Sequence, residues 1–320
     1  MDIDASMKLS IIIVNWNVKN LLKGCLNSIY YDSSYQDFEI ILVDNDSNDG
    51  SAEMIKEEFP QVRLIENRVN VGFGKACNQG IKIAGGDYIF ILNPDTLVKP
   101  HTLKNTISFM ESNPTVGIGG CYVYCLDSTP QTSFYKFPTL LSYFSRMLSL
   151  FRILPRNKLT QKFFWEYTDN NIARSVDRVL GGAMVLRKEM VKQMVGFDEA
   201  YFLYAEELDL CYRAKLRGWE VAAIPHTEII HYHQQSTSKN IKAATFHIYR
   251  SDFLFFKKFY PTYQIILLRY MQFCAIILRT FIWSGVYIFS FSKKSVAKER
   301  LLGYIKLLFS NFDYTKSILK

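Results

Sequence analysis

The sequence predicts an α/β fold, a doubly wound sheet with flanking helices, extended at its C-terminal end by a helical segment both apolar and basic. Three observations predict it. Short β-branched runs alternate with helical periodicity through the first half of the chain. Asp and Asn recur just after those runs. Of 38 Lys and Arg against 30 Asp and Glu, residues 251–320 hold 11 basic and three acidic side chains. That segment carries the whole net charge of +8, and residues 1–250 are neutral.

Each element follows from its residues. Leu9–Val14 is a β-branched apolar run, the composition of a strand buried on both faces. Leu21, Leu22, Cys25, Leu26 and Ile29 then recur at helical spacing. Phe38–Val43 reads as a second buried strand ending at Asp44, Ser51–Phe59 as a short helix, Val62–Ile65 as a third strand and Lys75–Ile83 as a helix. Tyr88–Leu92 is a fourth strand, stopped by Asn93-Pro94-Asp95, and another helix follows Pro100. The pattern changes over Phe134–Arg156, an aromatic, weakly basic stretch bounded by Pro138 and Pro155. It fits either a core helix hairpin or an insertion lying on a membrane. Order returns at Arg178–Leu186, and Glu206–Arg217 is a helix with acids first and bases last, as its dipole favours. Val221–Ile224 is a further strand, followed by a His-rich turn.

This organisation predicts an α/β body over 8–250, interrupted by an insertion at 134–176 that faces a ligand or a membrane, and a separate segment over 251–320. A hydrophobic share of 49% with 21% charged residues excludes a disordered chain. A neutral body speaks against nucleic acid as its partner. The six cysteines contain no CxxC, and only Cys121 and Cys125 lie near each other, which supports neither a zinc site nor a disulfide framework. The opening Met-Asp-Ile-Asp-Ala-Ser-Met-Lys lacks the plan of a signal peptide, so the expected compartment is the cytoplasm.

Ligands of doubly wound sheets bind outside the carboxyl ends of the strands. Asn15 and Asn17, Asp44 and Asp46, and Asn93 and Asp95 all fall there. Each alone reads equally well as a turn former or helix cap, but three clusters at one edge favour a site. A carboxylate fixed behind Pro94 can hold a hard divalent cation and leave positions for phosphate oxygens. Asp44 and Asp46 suit hydrogen bonds to a base edge or ribose. Asn70-Val71-Gly72-Phe73-Gly74 opens a helix, where backbone can approach a ligand closely. Around Glu206, Glu207 and Asp209 the helix dipole accounts for the acidity, though not for the aromatics that precede it. A carboxylate desolvated there would rise toward a useful base. His231-Tyr232-His233 adds two imidazoles on one side of an extended segment.

Together, Ser-Ile-Ile-Ile-Val-Asn-Trp-Asn, Val-Asp-Asn-Asp-Ser-Asn-Asp-Gly-Ser, Asn-Val-Gly-Phe-Gly-Lys-Ala-Cys-Asn-Gln-Gly, Leu-Asn-Pro-Asp-Thr, Gly-Gly-Ala-Met-Val-Leu-Arg and Glu-Glu-Leu-Asp-Leu-Cys-Tyr-Arg resemble, in order, the motifs of family 2 inverting glycosyltransferases. The likeness covers roughly residues 8–260 and is nearest to the rhamnosyltransferase-like branch. It implies a GT-A-type mixed sheet. It further implies a nucleotide-sugar site at Asn15, Asp44, Asp46, Asn70, Gly72, Asn78, Asn93 and Gly182. Asp95 becomes the metal-binding acid of the DxD element, whose first acid is here Asn93. His231, with Ser236 following, resembles the family's His element near the diphosphate, and Mg2+ or Mn2+ is the implied cofactor. The catalytic base falls on Glu207, with Glu206 beside it as the second candidate. The implied donor is a dTDP- or UDP-sugar, with rhamnose among the sugars, and the acceptor a glycan or polyprenyl-linked hydroxyl. A sugar-phosphate nucleotidyltransferase would want a basic Gly-rich loop after the first strand, where Asn15-Trp16-Asn17-Val18 stands instead. A non-catalytic membrane-associated scaffold is the rival from another class.

Tyr270–Ser292 contains one charged residue, Arg279, so its length permits a membrane span. Arg279, Gln272, Ser284 and Gly285 dilute the apolarity. Interfacial helices, apolar on one side and basic on the other, rank first, a true span second and homodimer packing third. The sequence therefore predicts a peripheral protein on the inner face of the cell membrane.

Overall fold

The computed structural model describes residues 8–148, 174–232, 241–290, 292 and 294–315, the stretch 310–315 by its backbone alone. In chain order the elements are β1 (Leu9–Asn15), α1 (Lys19–Tyr31), β2 (Phe38–Asp44), α2 (Ser51–Glu58), β3 (Arg63–Glu66), α3 (Phe73–Ile83), β4 (Tyr88–Leu92), β5 (Thr96–Val98), α4 (Thr102–Ser112) and β6 (Val116–Tyr124). There follow β7 (Pro130–Gln131), β8 (Phe134–Tyr135), α5 (Leu140–Met147), β9 (Arg174–Ser175), β10 (Arg178–Val179), β11 (Ala183–Arg187), α6 (Lys188–Met194), α7 (Glu206–Leu216) and β12 (Glu220–His231). The last three are helices: α8 (Ile241–Phe259), α9 (Thr262–Phe289) and α10 (Lys294–Thr315).

The described residues form two compact units. One takes in 8–137, 174–202 and 206–232, the other 138–148, 203–205 and 241–315. A boundary at 250/251 would cut α8 in mid-helix, which is why the second unit includes that helix whole. It also takes α5 from the 134–176 stretch, whose residues 149–173 lie outside the described ones.

The first unit is built on one mixed sheet, in the order β3-β2-β1-β4-β11-β6-β12-β5. β1 runs parallel to β2 and β4, and β2 parallel to β3. β11 enters between β4 and β6, antiparallel to both. Every residue of β1 is buried, and its two faces feed two cores by the strand's period of two. Leu9, Ile11 and Ile13 pack with Ile40, Leu42, Phe90 and the α1 residues Leu22, Leu26 and Ile29. Ile12 and Val14 pack with Ile41, Val43, Ile91 and the α3 residues Ala76 and Cys77. With both faces dry, the ends of the strands are the sheet's route to water, and the polar residues collect there.

The second unit is helical. Tyr143, Phe255, Phe256 and Tyr304 are among its fully buried side chains. Arg146 of α5 pairs with Asp252 of α8. α9 begins eight residues before the apolar stretch read from the sequence, directly behind Pro261, whose fixed φ suits a helix start.

Candidate active site

The carboxyl ends of β1 and β2 are in register, Asn15 opposite Asp44. Asn15 Nδ2 donates to Asp44 Oδ1 at 2.9 Å and to Ser47 Oγ at 3.0 Å, and the Ser47 N–H donates to Asp44 Oδ2 at 2.9 Å. Asn15 is fully buried, and its Oδ1 has no hydrogen-bond partner. A buried acceptor left open in this way suits a donor brought by a ligand. Asp46 is exposed and adopts a left-handed φ of 69°, a conformation Asp tolerates better than bulkier residues.

Asn45 was not among the expected residues, yet it joins two of the motifs. Its Nδ2 donates to Asn70 Oδ1 at 2.9 Å, and its Oδ1 accepts from the Val71 N–H at 3.0 Å. This fastens the Gly-rich loop to the end of β2. In the same loop Gly72 has φ +90°, and a Cβ there would lie 2.5 Å from the Phe202 carbonyl oxygen. Only glycine fits. Asn78 stands apart from this group. Its amide is used at both ends by the 196–199 loop, donating to the Phe197 carbonyl at 2.9 Å and accepting from the Phe197 N–H at 2.9 Å. It therefore reads as a loop tie rather than a ligand for the nucleotide.

After β4, the Asn93 N–H donates to the Gly182 carbonyl at 2.9 Å, as the antiparallel entry of β11 dictates. Asp95 is buried, and its Oδ1 lies 3.2 Å from His231 Nε2. His231 ends β12 opposite Thr96 of β5, which explains how residues 136 positions apart meet. His231 Nδ1 faces Gln131 Oε1 at 3.0 Å. A proton on Nδ1 satisfies that contact and turns the Nε2 lone pair toward the Asp95 carboxylate. Two electron-pair donors so placed suit a shared cation. Among the described residues no group of three or more His, Cys, Asp and Glu gathers as a metal site. One carboxylate and one imidazole match the incomplete set that a phosphate-bound divalent cation requires. His233 and Ser236 lie outside the described residues.

The paired acids that open α7 face different surroundings. Glu206 is buried, a Cβ built on Gly74 would lie 3.5 Å from its Cβ, and its Oε2 has no hydrogen-bond partner. Burial first, and the neighbouring Glu207 second, hold its carboxyl well above the usual carboxylate range. The desolvated acid anticipated at this helix start is thus Glu206. Glu207 lies 3.6 Å from Arg178 Nη1, in an ion pair with both side chains largely covered. Arg178 was not foreseen. It comes from β10, and its guanidinium stacks over the Tyr135 ring at 4.2 Å.

Gly181 and Gly182 join these halves. A Cβ on Gly181 would sit 3.1 Å from Glu207 Cβ, and one on Gly182 would sit 2.5 Å from Asn93 Cγ. Glu207, the second residue of α7, and Asn93, which follows β4, therefore flank one dipeptide. A carboxylate, a cation-suited pair and an open amide acceptor at one sheet edge can together bind a phosphorylated nucleotide and take a proton beside it.

Comparison with known proteins places the chain in context. A family model described as glycosyl transferase family 2 matches residues 10–194. The N-acetylglucosaminyl-diphospho-decaprenol L-rhamnosyltransferase of Mycobacterium tuberculosis is 27% identical over 227 residues, covering 68% of this chain and 73% of that protein. The rhamnosyltransferase WbbL of Escherichia coli K12 is 28% identical over 247 residues, covering 74% and 89%. Among solved structures, the mannosyltransferase PcManGT from Pyrobaculum calidifontis, in complex with GDP-Man and Mn2+, superposes with a TM-score of 0.55 at 15% identity, covering 95% of this chain and 87% of that one. That likeness concerns the fold.

Proposed function

The chain belongs to glycosyl transferase family 2, and from that membership we propose that it moves a sugar from a nucleoside diphosphate to a hydroxyl of a lipid-linked acceptor, with inversion, by one displacement. The observation that carries the reading is that Glu207 packs on Gly181 and Asn93 on the adjoining Gly182, with Asp95, two residues after Asn93, paired with His231. The names of both relatives favour rhamnose as the sugar, and the name of the mycobacterial one favours a polyprenyl diphosphate sugar as the acceptor. A dTDP or UDP donor fits this reading.

The nucleoside would rest on the ends of β1 and β2. The open Asn15 Oδ1 accepts a hydrogen bond from the base or ribose, and Asp44 and Asp46 take further ones. Asn70 and the backbone around Gly72 close that side, with Asn45 holding the loop. Asn93 and the backbone at Gly182 line the sugar. Asp95 and His231 would hold Mg2+ or Mn2+, and Gln131 fixes the imidazole. Bound there, the cation would offset negative charge on the departing diphosphate.

Glu207 acts as the base. Its carboxylate takes the proton of the acceptor hydroxyl as that oxygen bonds to the anomeric carbon from the side opposite the diphosphate. The bond from the anomeric carbon to the diphosphate oxygen breaks, and the diphosphate leaves with the electron pair. A well-placed base contributes about 10²–10⁴-fold. Arg178 pairs with Glu207 and aims it, while burial holds the Glu206 carboxyl well above the usual carboxylate range and so disfavours a second negative charge beside it. Since the acceptor is carried on lipid, the protein works at the inner face of the cell membrane, with the C-terminal unit as its attachment.

A thermal-shift screen with dTDP, UDP and GDP, each with Mn2+ or Mg2+, tests the reading. Stabilisation by one nucleoside diphosphate, increased by the metal, is expected. No response to any of them would return the chain to the scaffold class.

A further inference from the structure

Helix α9 has its amphipathicity inside out. Tyr263, Ile266, Tyr270, Phe273, Phe281 and Ile288 recur at helical spacing along one face and are 48–74% exposed. Cys274 is exposed as well. The opposite face buries Leu268, Gln272, Ala275 and Ile276. The polar groups are used inward. Gln272 Nε2 donates to Tyr143 Oη and to the Tyr249 carbonyl, each at 3.1 Å. Arg279 donates to the Met147 carbonyl at 2.8 Å and to Tyr249 Oη at 3.3 Å. Hydrocarbon and aromatic surface is what this helix turns outward, on a scale that soluble monomers rarely leave bare.

Charge selects the occupant. Lys257 and Lys258 are exposed in the last turn of α8, and Lys294 Nζ lies 5.3 Å from the centre of the exposed Tyr287 ring. A second copy of the chain on this face would bring like charges together, whereas anionic headgroups attract each near-surface cation by about 1 kcal/mol. Packing then decides between crossing the bilayer and lying on it. α9 is tied to its neighbours through charged side chains: its own Arg269 lies over the Phe253 ring of α8 at 4.5 Å, and Arg300 of α10 lies over its Trp283 ring at 4.7 Å. α8 carries Lys242, Arg250 and Asp252 besides its terminal lysines. Taking α9 through a bilayer would pull those charges into hydrocarbon, at about 2.5–3.5 kcal/mol each, or strip Gln272 and Arg279 of their partners.

We propose that α9 is a monotopic membrane element: it lies in the plane of an anionic bilayer surface, its exposed face sunk to the boundary between headgroups and acyl chains, and does not cross. This rests on the reading that the protein works at a membrane. It adds which face enters and how deep, roughly 5–10 Å for helices of this kind.

The test uses the full chain with Cys274 carrying an environment-sensitive fluorophore. Cys125, the other cysteine that is not buried, is replaced by serine. Vesicles of phosphatidylcholine with phosphatidylglycerol carry a nitroxide either near the headgroup or near the chain end. Binding to these vesicles over phosphatidylcholine alone, stronger quenching by the shallow nitroxide and release by alkaline carbonate are expected. Phe273→Glu with Phe281→Glu should weaken binding about tenfold or more, given the value of each buried aromatic. Its thermal midpoint and its transfer to a water-soluble acceptor should stay unchanged. Stronger quenching by the deep nitroxide overturns the in-plane placement and leaves membrane attachment standing. No binding to the anionic vesicles overturns both, and disulfide cross-linking of Cys274 between two copies of the unlabelled protein would then mark the face as a dimer contact. Transfer to the soluble acceptor is read separately, so neither outcome bears on the chemistry.

Discussion

Gly182→Ala is the perturbation whose consequence the structure fixes most closely. The added Cβ would lie 2.5 Å from Asn93 Cγ, with Asn93 Nδ2 nearer still, where ordinary contacts begin at 3.4 Å. Asn93 must therefore withdraw by about 1 Å, and a misplacement of that size in a positioning group costs on the order of 10²-fold in rate. That is about 2.7 kcal/mol of transition-state stabilisation. The fold should survive, since the φ of Gly182 lies outside the left-handed region and its carbonyl still accepts from the Asn93 N–H. Overpacking of this kind costs roughly 1–3 kcal/mol of stability. The assay is transfer of the donor sugar by Gly182→Ala, Asn93→Ala and the double variant, with thermal midpoints alongside. If Asn93 is the mediator, the alanine at 182 costs little more once Asn93 is gone, and the losses fail to add. Full additivity, or wild-type turnover in Gly182→Ala, would refute the placement of Asn93 in the sugar site.

The stability of Glu206→Gln relative to the wild type, read from urea unfolding of both proteins, should be greater at pH 7 than at pH 4.5. The folded chain holds the Glu206 proton above the unfolded pKa, so stability falls as pH rises from about 4.3, by up to about 1.4 kcal/mol per pH unit until the native carboxyl ionises. Glutamine cannot ionise and escapes this; a pH-independent difference would mean that Glu206 is charged in the fold. Gly285→Ala, near the C-terminal end of α9 with open space around the position, should raise the stability of the C-terminal unit by up to about 0.5–1 kcal/mol from helix propensity, read from the thermal midpoint. Asp95→Asn should abolish the extra thermal stabilisation that Mn2+ gives the nucleotide complex, while the shift from nucleotide alone persists; an unchanged metal effect would move the cation elsewhere.

Much of the first unit was legible because its strands are buried on both faces, and a run such as Ser-Ile-Ile-Ile-Val has few other uses. The polar clusters were legible for a related reason, since residues such as Asn15 and Asp44 interrupt apolar runs where the strands end. What escaped the sequence depends on contacts between distant segments. Arg178 reaches Glu207 only because β10 sits beside α7, and Gln131 reaches His231 only through the pairing of β7 with β6. Asn45 was hidden by its neighbours, since an Asn between two Asp reads as one turn until its partners at 70 and 71 are known. The acids at 206 and 207 are alike in sequence, and burial separates them. Composition likewise showed α9 to be apolar but not which face is covered, and the placement of Gln272 and Arg279 on the inner face reverses the usual rule of polar outside.

Glu207→Gln tests the central claim most directly. It keeps the shape beside Gly181 and removes the one charge assigned to take the proton. The account predicts that donor nucleotide binding, read by thermal shift, is retained while sugar transfer falls by about 10²–10⁴-fold. Turnover near that of the wild type in Glu207→Gln would contradict it.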